Sequence, residues 1–243
     1  NVSDVVFVDD IACVATSEEE LVISIRAWRE ALTRAGLQMN LSVGKSEFMV
    51  MCPGETHVPH TLEGLGRTRR YDYLGVKIDA DAGITGFTRT NVKARLKAAA
   101  FALRSIRHFC RDKSIPIKTK SMVYKTLILP ILTYGSDQWM NVPNDLKAKM
   151  RLLHNKATRM IADVSPMIHR EVGTSLAELR KRTQLATLDR ILRIRFLRFG
   201  GKLLRLNGTD TTRALACAFD PSVGRKNTSA VLRFGERFRR ECA

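Results

Sequence analysis

Residues 5–14 read VVFVDDIACV, and this stretch decides how the first part of the chain folds. Two apolar runs rich in Val and Ile flank the adjacent acids Asp9 and Asp10, a pattern typical of two strands joined by a tight turn. The short Asp side chain tolerates such turns well. The sequence therefore predicts a β-hairpin whose tip presents two carboxylates.

The two carboxylates at this tip indicate a divalent cation. Adjacent acids repel each other unless a positive charge lies between them, and Mg²⁺ prefers carboxylate oxygens as ligands. Where Mg²⁺ meets a nucleoside triphosphate, such carboxylates position the metals of in-line phosphoryl transfer. An ordinary surface turn is far commoner than such a metal-binding hairpin, and the Asp9–Asp10 pair taken alone favours the ordinary turn.

Further motifs follow the predicted hairpin in a fixed order. They are Gly36 to Asn40 (GLQMN), residues 45–47 (KSE), residues 73–75 (YLG) and residues 129–139 (LPILTYGSDQW). In this order and at these spacings, the chain resembles the C-terminal half of the reverse transcriptase of non-LTR (LINE-type) retrotransposons. The resemblance extends to about residue 205, with Phe7 and Val8 where that family usually has Tyr and Ala before its two Asp residues.

The resemblance implies an RNA-directed DNA polymerase that adds deoxynucleoside triphosphates to a primer on an RNA template. It implies that Asp9 and Asp10 are catalytic ligands of Mg²⁺, for which Mn²⁺ is a possible substitute. It also implies that Lys45 neutralises the triphosphate or protonates the leaving pyrophosphate. Without the resemblance, Lys45 would be interpreted as an ordinary surface lysine.

The motif Tyr73-Leu74-Gly75 corresponds in the family to the hairpin that grips the terminal phosphate of the primer. Aromatic and apolar anchors, with a glycine that permits close backbone approach, suit that role. A buried strand with Tyr73 in the core explains the same letters nearly as well. The run from Leu129 to Trp139 resembles the thumb of the family, and we assign it a structural role only.

The charge distribution favours a polyanionic partner. The chain has 243 residues and a formal net charge of +17. Residues 1–60 contain four basic and nine acidic residues, whereas residues 61–243 contain 37 basic and 15 acidic ones. An acidic segment before a strongly basic one suits metal-dependent chemistry beside nucleic acid. The resemblance implies that this nucleic acid is an RNA template with a DNA primer or target DNA. The alternative is that the basic helices only keep the surface soluble.

The cysteine pattern and the hydropathy indicate the kind of cellular compartment in which the protein is expected. The five cysteines are scattered and form no Cys-x-x-Cys motif, so neither a disulfide framework nor a zinc ribbon is expected. This pattern favours a reducing compartment. The apolar run over 127–132 is short and contains Pro130, so no membrane partner is expected. The resemblance implies an intracellular protein in nuclear and cytoplasmic ribonucleoprotein. The oligomeric state stays open.

The first 80 residues predict the α+β part of the fold. Ser17, with Glu20 three residues later, indicates a helix N-terminus, and Gly36 indicates its end. A buried helix face containing Trp28 is expected beneath the hairpin. Residues 46–51 and 71–78 predict strands, and residues 53–70 predict a loop. By the resemblance, residues 1–80 are the C-terminal part of the polymerase palm.

From Phe87 onward the periodicity predicts helices. A long apolar stripe is formed by Val92, Leu96, Ala99, Leu103, Ile106 and Phe109. The cations off this stripe are predicted to contact the backbone of nucleic acid: Arg95, Lys97, Arg104, Arg107 and Arg111. Further helices are predicted from Ile117, from Pro143 as the first helical residue, and over 175–206. The expected divisions are an α-helical thumb (81–165), a basic helical connection (166–206) and a poorly ordered tail (207–243) with a weak helix over 231–240.

The family places a third catalytic carboxylate, together with the fingers, upstream of the Asp9 position. The sequence therefore predicts a fragment that is inactive alone. The rival hypothesis is a non-catalytic, basic nucleic-acid-binding module, either a decayed element or one reused for binding. A weaker third alternative is a group II intron-like maturase, against which the Tyr134-Gly135 and Trp139 motif argues.

Overall fold

A computed structural model describes residues 4–51, 59–137, 139, 142–164 and 173–205. The fold class is α+β, as predicted, with small sheets followed by helices. The chain divides into two compact units, Asn1–Phe87 and Thr88–Ala243. The helix Gly83–Ser105 contains this division.

Short strands and one long helix build the first unit. In chain order they are β1 (Asp4–Phe7), β2 (Asp10–Cys13), α1 (Glu18–Arg34), β3 (Glu47–Phe48), β4 (Thr61–Leu62), β5 (Leu65–Arg67), β6 (Arg70–Tyr73) and β7 (Val76–Asp79). Among the described residues, β1 pairs antiparallel with β2 and β6 with β7, whereas β5 lies between a parallel β3 and an antiparallel β4.

Helix α1 begins and ends where the sequence predicts. The Ser17 side chain accepts a hydrogen bond from the backbone N–H of Glu20 at 3.2 Å, and Gly36 follows the helix with a φ of +73°. The Glu20 carboxylate accepts from the backbone N–H and hydroxyl of Thr16, one residue earlier than in the usual capping box. A small core forms around Ile25, with Phe48, Leu62 and Leu65 buried against it.

The strand predictions need correction at three places. Residues 71–78 are not one strand, because the chain reverses at Leu74 and Gly75 and forms the β6–β7 hairpin. The region predicted as a loop contains β4 and β5 in its described part. The strand predicted over 46–51 is confined to Glu47–Phe48. All these elements are two to four residues long, too short for a periodicity to be read from sequence.

The turn between β4 and β5 is tied to helix α1. Glu63 and Gly64 occupy this turn with φ values of +49° and +79°. The Arg26 guanidinium lies 2.8 Å from the Glu63 carboxylate, and Arg29 donates to the Glu63 backbone oxygen at 2.6 Å. These contacts connect the central sheet to the helix.

Helices build the described part of the second unit. They are α2 (Gly83–Ser105), α3 (Arg107–Arg111), α4 (Ile117–Val123), a π-helical turn (Tyr124–Ile128), α5 (Leu129–Thr133), α6 (Asn144–Ile161), α7 (Leu176–Thr183) and α8 (Leu188–Leu204). The predicted stripe on α2 is confirmed, since Val92, Ala99 and Leu103 are buried. The helical region starts four residues earlier than the predicted Phe87, and the helix that carries most of the stripe ends at Ser105, so that Phe109 lies on α3.

Proline positions explain two local features of this unit. Pro130 is the second residue of α5, two residues after the π-helical turn, and the wider turn accommodates a residue that cannot donate to the preceding carbonyls. Pro143 is the N-cap of α6 and not its first helical residue. The core lies between α2, α4, α6 and α8, with Tyr124, Leu132, Met150 and Phe196 among its most deeply buried side chains.

Three of the sequence predictions fall wholly or partly on residues outside the described ranges. They are the tail 207–243, with its predicted helix over 231–240, part of the predicted loop, 52–58, and the start of the predicted connection, 166–172. No helix in the described part of the chain combines the length and apolar character needed to cross a membrane.

Candidate functional site

The acidic hairpin forms as predicted. Phe7 pairs with Asp10 in the β1–β2 register, so that Val8 and Asp9 make a two-residue turn. Asp9 and Asp10 are both exposed, and Asp10 is the first residue of β2. Carboxylate oxygens at a solvent-facing tip are donors that a hard divalent cation prefers.

Helix α1 supports the hairpin through a polar contact. The Trp28 indole Nε1 donates to the Asp4 carboxylate at 3.1 Å. Trp28 is half-buried, so its predicted place in the core is wrong: its ring edge is held by Asp4 at the start of β1. The contact fixes the hairpin base to the helix that carries Trp28.

Cys13 lies opposite Asp4 in the hairpin register. Burial raises the pKa of the Cys13 thiol to about 12, and a hydrogen bond with Asp4 and its negative charge act in the same direction. The thiol therefore stays protonated at neutral pH and is a poor nucleophile.

The Lys45 loop is ordered by its own side chains. The Asn40 side-chain oxygen accepts from the backbone N–H of Ser42 at 3.0 Å, and the Glu47 carboxylate accepts from the N–H of Gly44 at 3.0 Å. Lys45 is exposed, and its backbone oxygen accepts a hydrogen bond from the Tyr71 hydroxyl at 2.8 Å. This bond joins the Lys45 loop to strand β6.

The environment of Tyr71 also changes its acidity. Burial raises the pKa of the Tyr71 hydroxyl, and the negative charges of Asp10 and Glu47 act in the same direction. The hydrogen bond from Tyr71 to Lys45 joins the Lys45 loop to the β6–β7 hairpin. The placement of the acidic hairpin tip beside them stays a prediction.

Two residues of this cluster were not identified as functional from the sequence. Tyr71 was predicted only as part of a strand, and Glu47 only as a letter of the Lys-Ser-Glu motif. Both residues contribute through contacts between separate strands and loops, and such tertiary contacts cannot be predicted from local sequence patterns.

Tyr73, Leu74 and Gly75 form the end of β6 and the turn into β7. Leu74 and Gly75 have φ values of +48° and +70°, so the turn itself accounts for the glycine. The Tyr73 hydroxyl is buried and has no hydrogen-bond partner among the described residues. The primer-grip role of these three residues stays a prediction.

The metal-ligand assignment of Asp9 and Asp10 likewise stays a prediction. Within the described ranges, no group of three or more His, Cys, Asp or Glu side chains is arranged to hold a metal ion. Asp4 bonds to Trp28 at the opposite end of β1 from the turn.

The five predicted nucleic-acid contacts lie on helices α2 and α3, and their role stays a prediction. The Arg95 guanidinium stacks over the Tyr134 ring, 4.4 Å from its centroid. Lys97 and Arg104 are exposed and lie seven residues apart on α2, hence on one face of that helix. Arg107 and Arg111 are exposed and lie four residues apart on α3.

A buried polar pair in the second unit was also not predicted. The His154 imidazole Nδ1 lies 2.8 Å from the Tyr124 hydroxyl, and its Nε2 lies 2.9 Å from the Ala186 backbone oxygen. Burial lowers the pKa of His154. Because Nε2 donates to a carbonyl, Nδ1 is the acceptor of the Tyr124 hydroxyl, and the ring is neutral.

Comparison with known proteins gives one distant similarity. The chain is 22% identical over 210 residues to a protein of Caenorhabditis elegans named as an uncharacterized transposon-derived protein, covering 84% of this chain and 72% of that protein. No protein-family model matches the chain. No solved structure matches it either.

Proposed function

We propose that the chain is the end of the palm and the thumb of a reverse transcriptase from a non-LTR retrotransposon. Its reaction would be Mg²⁺-dependent transfer of deoxynucleotides to a primer on an RNA template. The observation that supports this most is the order of the motifs along the chain, together with the hydrogen bond from the Tyr71 hydroxyl to the Lys45 backbone oxygen, which joins the Lys45 loop to strand β6. The name of the nematode relative agrees with a transposon origin.

In this proposal each motif has a distinct task. Asp9 and Asp10 hold the metal, which neutralises charge that develops on the transferred phosphoryl group. Lys45 neutralises the triphosphate or gives a proton to the leaving pyrophosphate. The β6–β7 turn positions the primer end, and exposed cations of the second unit follow the duplex backbone by shape.

Paramagnetic Mn²⁺ tests the metal site directly. Substoichiometric Mn²⁺ should broaden the amide resonances of residues 8–10 more than any others, because they surround the two carboxylates. Asp9→Asn and Asp10→Asn should each abolish the selective broadening. Asp81→Asn is the matched control, since it removes an exposed acid two residues after the end of β7. Broadening that survives both hairpin variants would contradict the assignment.

Polymerase activity needs its own assay. The chain would be joined to the upstream palm and fingers of a related reverse transcriptase and tested for primer extension on RNA. Extension should require Mg²⁺ or Mn²⁺ and should fall by a factor of about 100 or more in Asp9→Asn, as expected when charge stabilisation is lost. Undiminished extension by Asp9→Asn would show that Asp9 is not a metal ligand.

A second candidate function is a non-catalytic nucleic-acid-binding module. Its support is the charge of the second unit, which has 33 basic and 11 acidic residues over 88–243. This function needs no metal at the hairpin. It would be favoured if the chain bound nucleic acid with equal affinity in wild type and Asp9→Asn while Mn²⁺ broadening at residues 8–10 was absent.

A further inference from the structure

An open groove of about 440 Å³ lies between helices α2 and α6 in the second unit. Its apolar lining consists of Leu96 and Ala100 on α2 and of Leu152 and Leu153 on α6. Leu152 is 65% exposed, although a leucine side chain stabilises a folded protein most when it is buried. The groove thus leaves apolar surface accessible beside the core that α2 and α6 share.

Every charged residue that lines the groove is a lysine. Lys97 stands on α2, and Lys149 and Lys156 stand on α6, with no acidic residue among the lining residues. All three lysines are exposed. The groove therefore combines an apolar floor with a positive rim.

We propose that this groove, termed the α2–α6 groove, binds an amphipathic helix of a partner protein that has leucine-like anchors flanked by acidic residues. The lining residues of α6 span two helical turns, a length that an anchor pattern of i, i+3 or i+4, and i+7 can follow. Acidic flanks would complement Lys97, Lys149 and Lys156. The apolar anchors would cover Leu152 and Leu153.

Nucleic acid fits this surface less well than an acidic helix does. The lysines would attract a phosphate backbone, but the aliphatic floor would add no binding energy to it. Nucleic-acid bases stack on aromatic rings, and the lining has no aromatic residue. Residues 206–243 of the chain itself are also a poor match for the lysine-rimmed groove, because they carry a net positive charge, with seven basic and four acidic residues. The proposal does not depend on polymerase activity.

A labelled peptide provides the test. The probe is a synthetic Ala-based helix with leucines at i, i+4 and i+7 and flanking glutamates, and its reference has lysine in place of every glutamate. Fluorescence anisotropy with the full chain should show the acidic peptide binding at least tenfold more tightly than the reference. Leu152→Ser and the pair Lys149→Glu with Lys156→Glu should each weaken the acidic peptide at least fivefold.

Two variants on α4 serve as matched controls. Met122→Ser removes an exposed apolar side chain, and Lys118→Glu reverses an exposed charge, both away from the α2–α6 groove. Neither should change peptide affinity. Equal binding of the two peptides, or equal weakening by Met122→Ser and Leu152→Ser, would overturn the proposal. An RNA–DNA hybrid whose affinity falls with Leu152→Ser, or self-association that disappears in that variant, would instead assign the groove to nucleic acid or to a second copy.

Discussion

Val8 combines a β-branched side chain with a φ of +56° at the tip of the acidic hairpin. A left-handed backbone brings Cβ close to the following carbonyl oxygen and costs about 1–2 kcal/mol for such a residue. Val8 is 84% exposed, so its side chain recovers little of this cost by packing. Strained backbone conformations of this kind concentrate at functional sites, and the strain at Val8 lies next to the candidate metal ligand Asp9.

Replacing Val8 with asparagine should therefore stabilise the protein. Asparagine tolerates positive φ, and Val8→Asn should raise the free energy of unfolding by about 1 kcal/mol. Urea denaturation measures the change. Val14→Asn is the control, because Val14 is also exposed but does not have a positive φ. An equal gain in both variants would show that side-chain polarity, not backbone strain, is responsible.

His154 makes stability depend on pH in a defined direction. Burial lowers its folded pKa below the unfolded value of about 6.5, and the charge of Arg180 contributes in the same direction. As pH falls through about 6.5, the unfolded state takes up a proton before the folded state does, so stability decreases until the folded pKa is passed. The Tyr124 hydroxyl has a pKa raised by burial and stays protonated throughout.

The measurement compares unfolding free energies at about pH 7.5 and about pH 5. Wild type should lose stability on acidification, and His154→Gln should lose less, although it is less stable at the higher pH because a buried hydrogen-bond pair is changed. A decrease of equal size in both proteins would place the titrating group elsewhere.

The N-terminus of helix α1 depends on one hydroxyl. Ser17 accepts from the backbone N–H of Glu20, and three acidic residues in the first turn complement the helix dipole. Ser17→Ala should lower the free energy of unfolding by about 1 kcal/mol. Ser24→Ala, in the middle of the same helix, should not lower it, because alanine has the higher helix propensity. Thermal denaturation of both variants distinguishes a capping effect from a general effect of removing serine.

Helices could be predicted from this sequence more fully than strands. Long amphipathic stripes and a capping serine are local signals, and α1, α2 and α6 follow them. The β6–β7 hairpin was missed because its turn residue Leu74 takes a positive φ that leucine rarely adopts, while apolar residues continue on both sides. Within the candidate site, the pair Asp9 and Asp10 could be predicted from local sequence. The approach of Tyr71 to Lys45 could not, because it depends on contacts between separate strands and loops.

The charge of the whole molecule is divided between its two compact units. Residues 1–87 contain 13 acidic and 8 basic residues, whereas residues 88–243 contain 11 acidic and 33 basic ones. Such a division gives the second unit a strong positive field, and counterion release then makes nucleic-acid binding depend steeply on salt.

A salt series with an RNA–DNA hybrid, a DNA duplex and single-stranded RNA tests this. We expect tighter binding of the hybrid, with an affinity that falls linearly on logarithmic axes as salt rises. The pair Arg107→Gln and Arg111→Gln should reduce the slope by about 1 for each phosphate that the variant no longer neutralises. Arg34→Gln removes one positive charge from the first unit and should leave the slope unchanged. Weak binding that is equal for all three nucleic acids would contradict the thumb assignment.

The acidic hairpin also exposes apolar side chains to solvent. Val5, Val6 and Phe7 of β1 are 45%, 53% and 58% exposed, and successive strand residues point to opposite faces. Among the described residues, the sheet of β1 and β2 has no third strand, so each strand has an open edge. Open apolar edges are templates for pairing with another chain. We therefore expect concentration-dependent self-association through this hairpin.

Val6→Lys should reduce that self-association, because a charged side chain on an edge strand opposes pairing. Sedimentation velocity over a range of concentrations measures it, with circular dichroism to show that the fold is retained. Val43→Lys is the control: Val43 is 97% exposed but lies in the loop before Lys45, where no strand edge is present. If only Val6→Lys lowers association, the backbone edge is the cause. If both variants lower it equally, net charge and exposed apolar area are sufficient, and β1 does not act as a pairing edge.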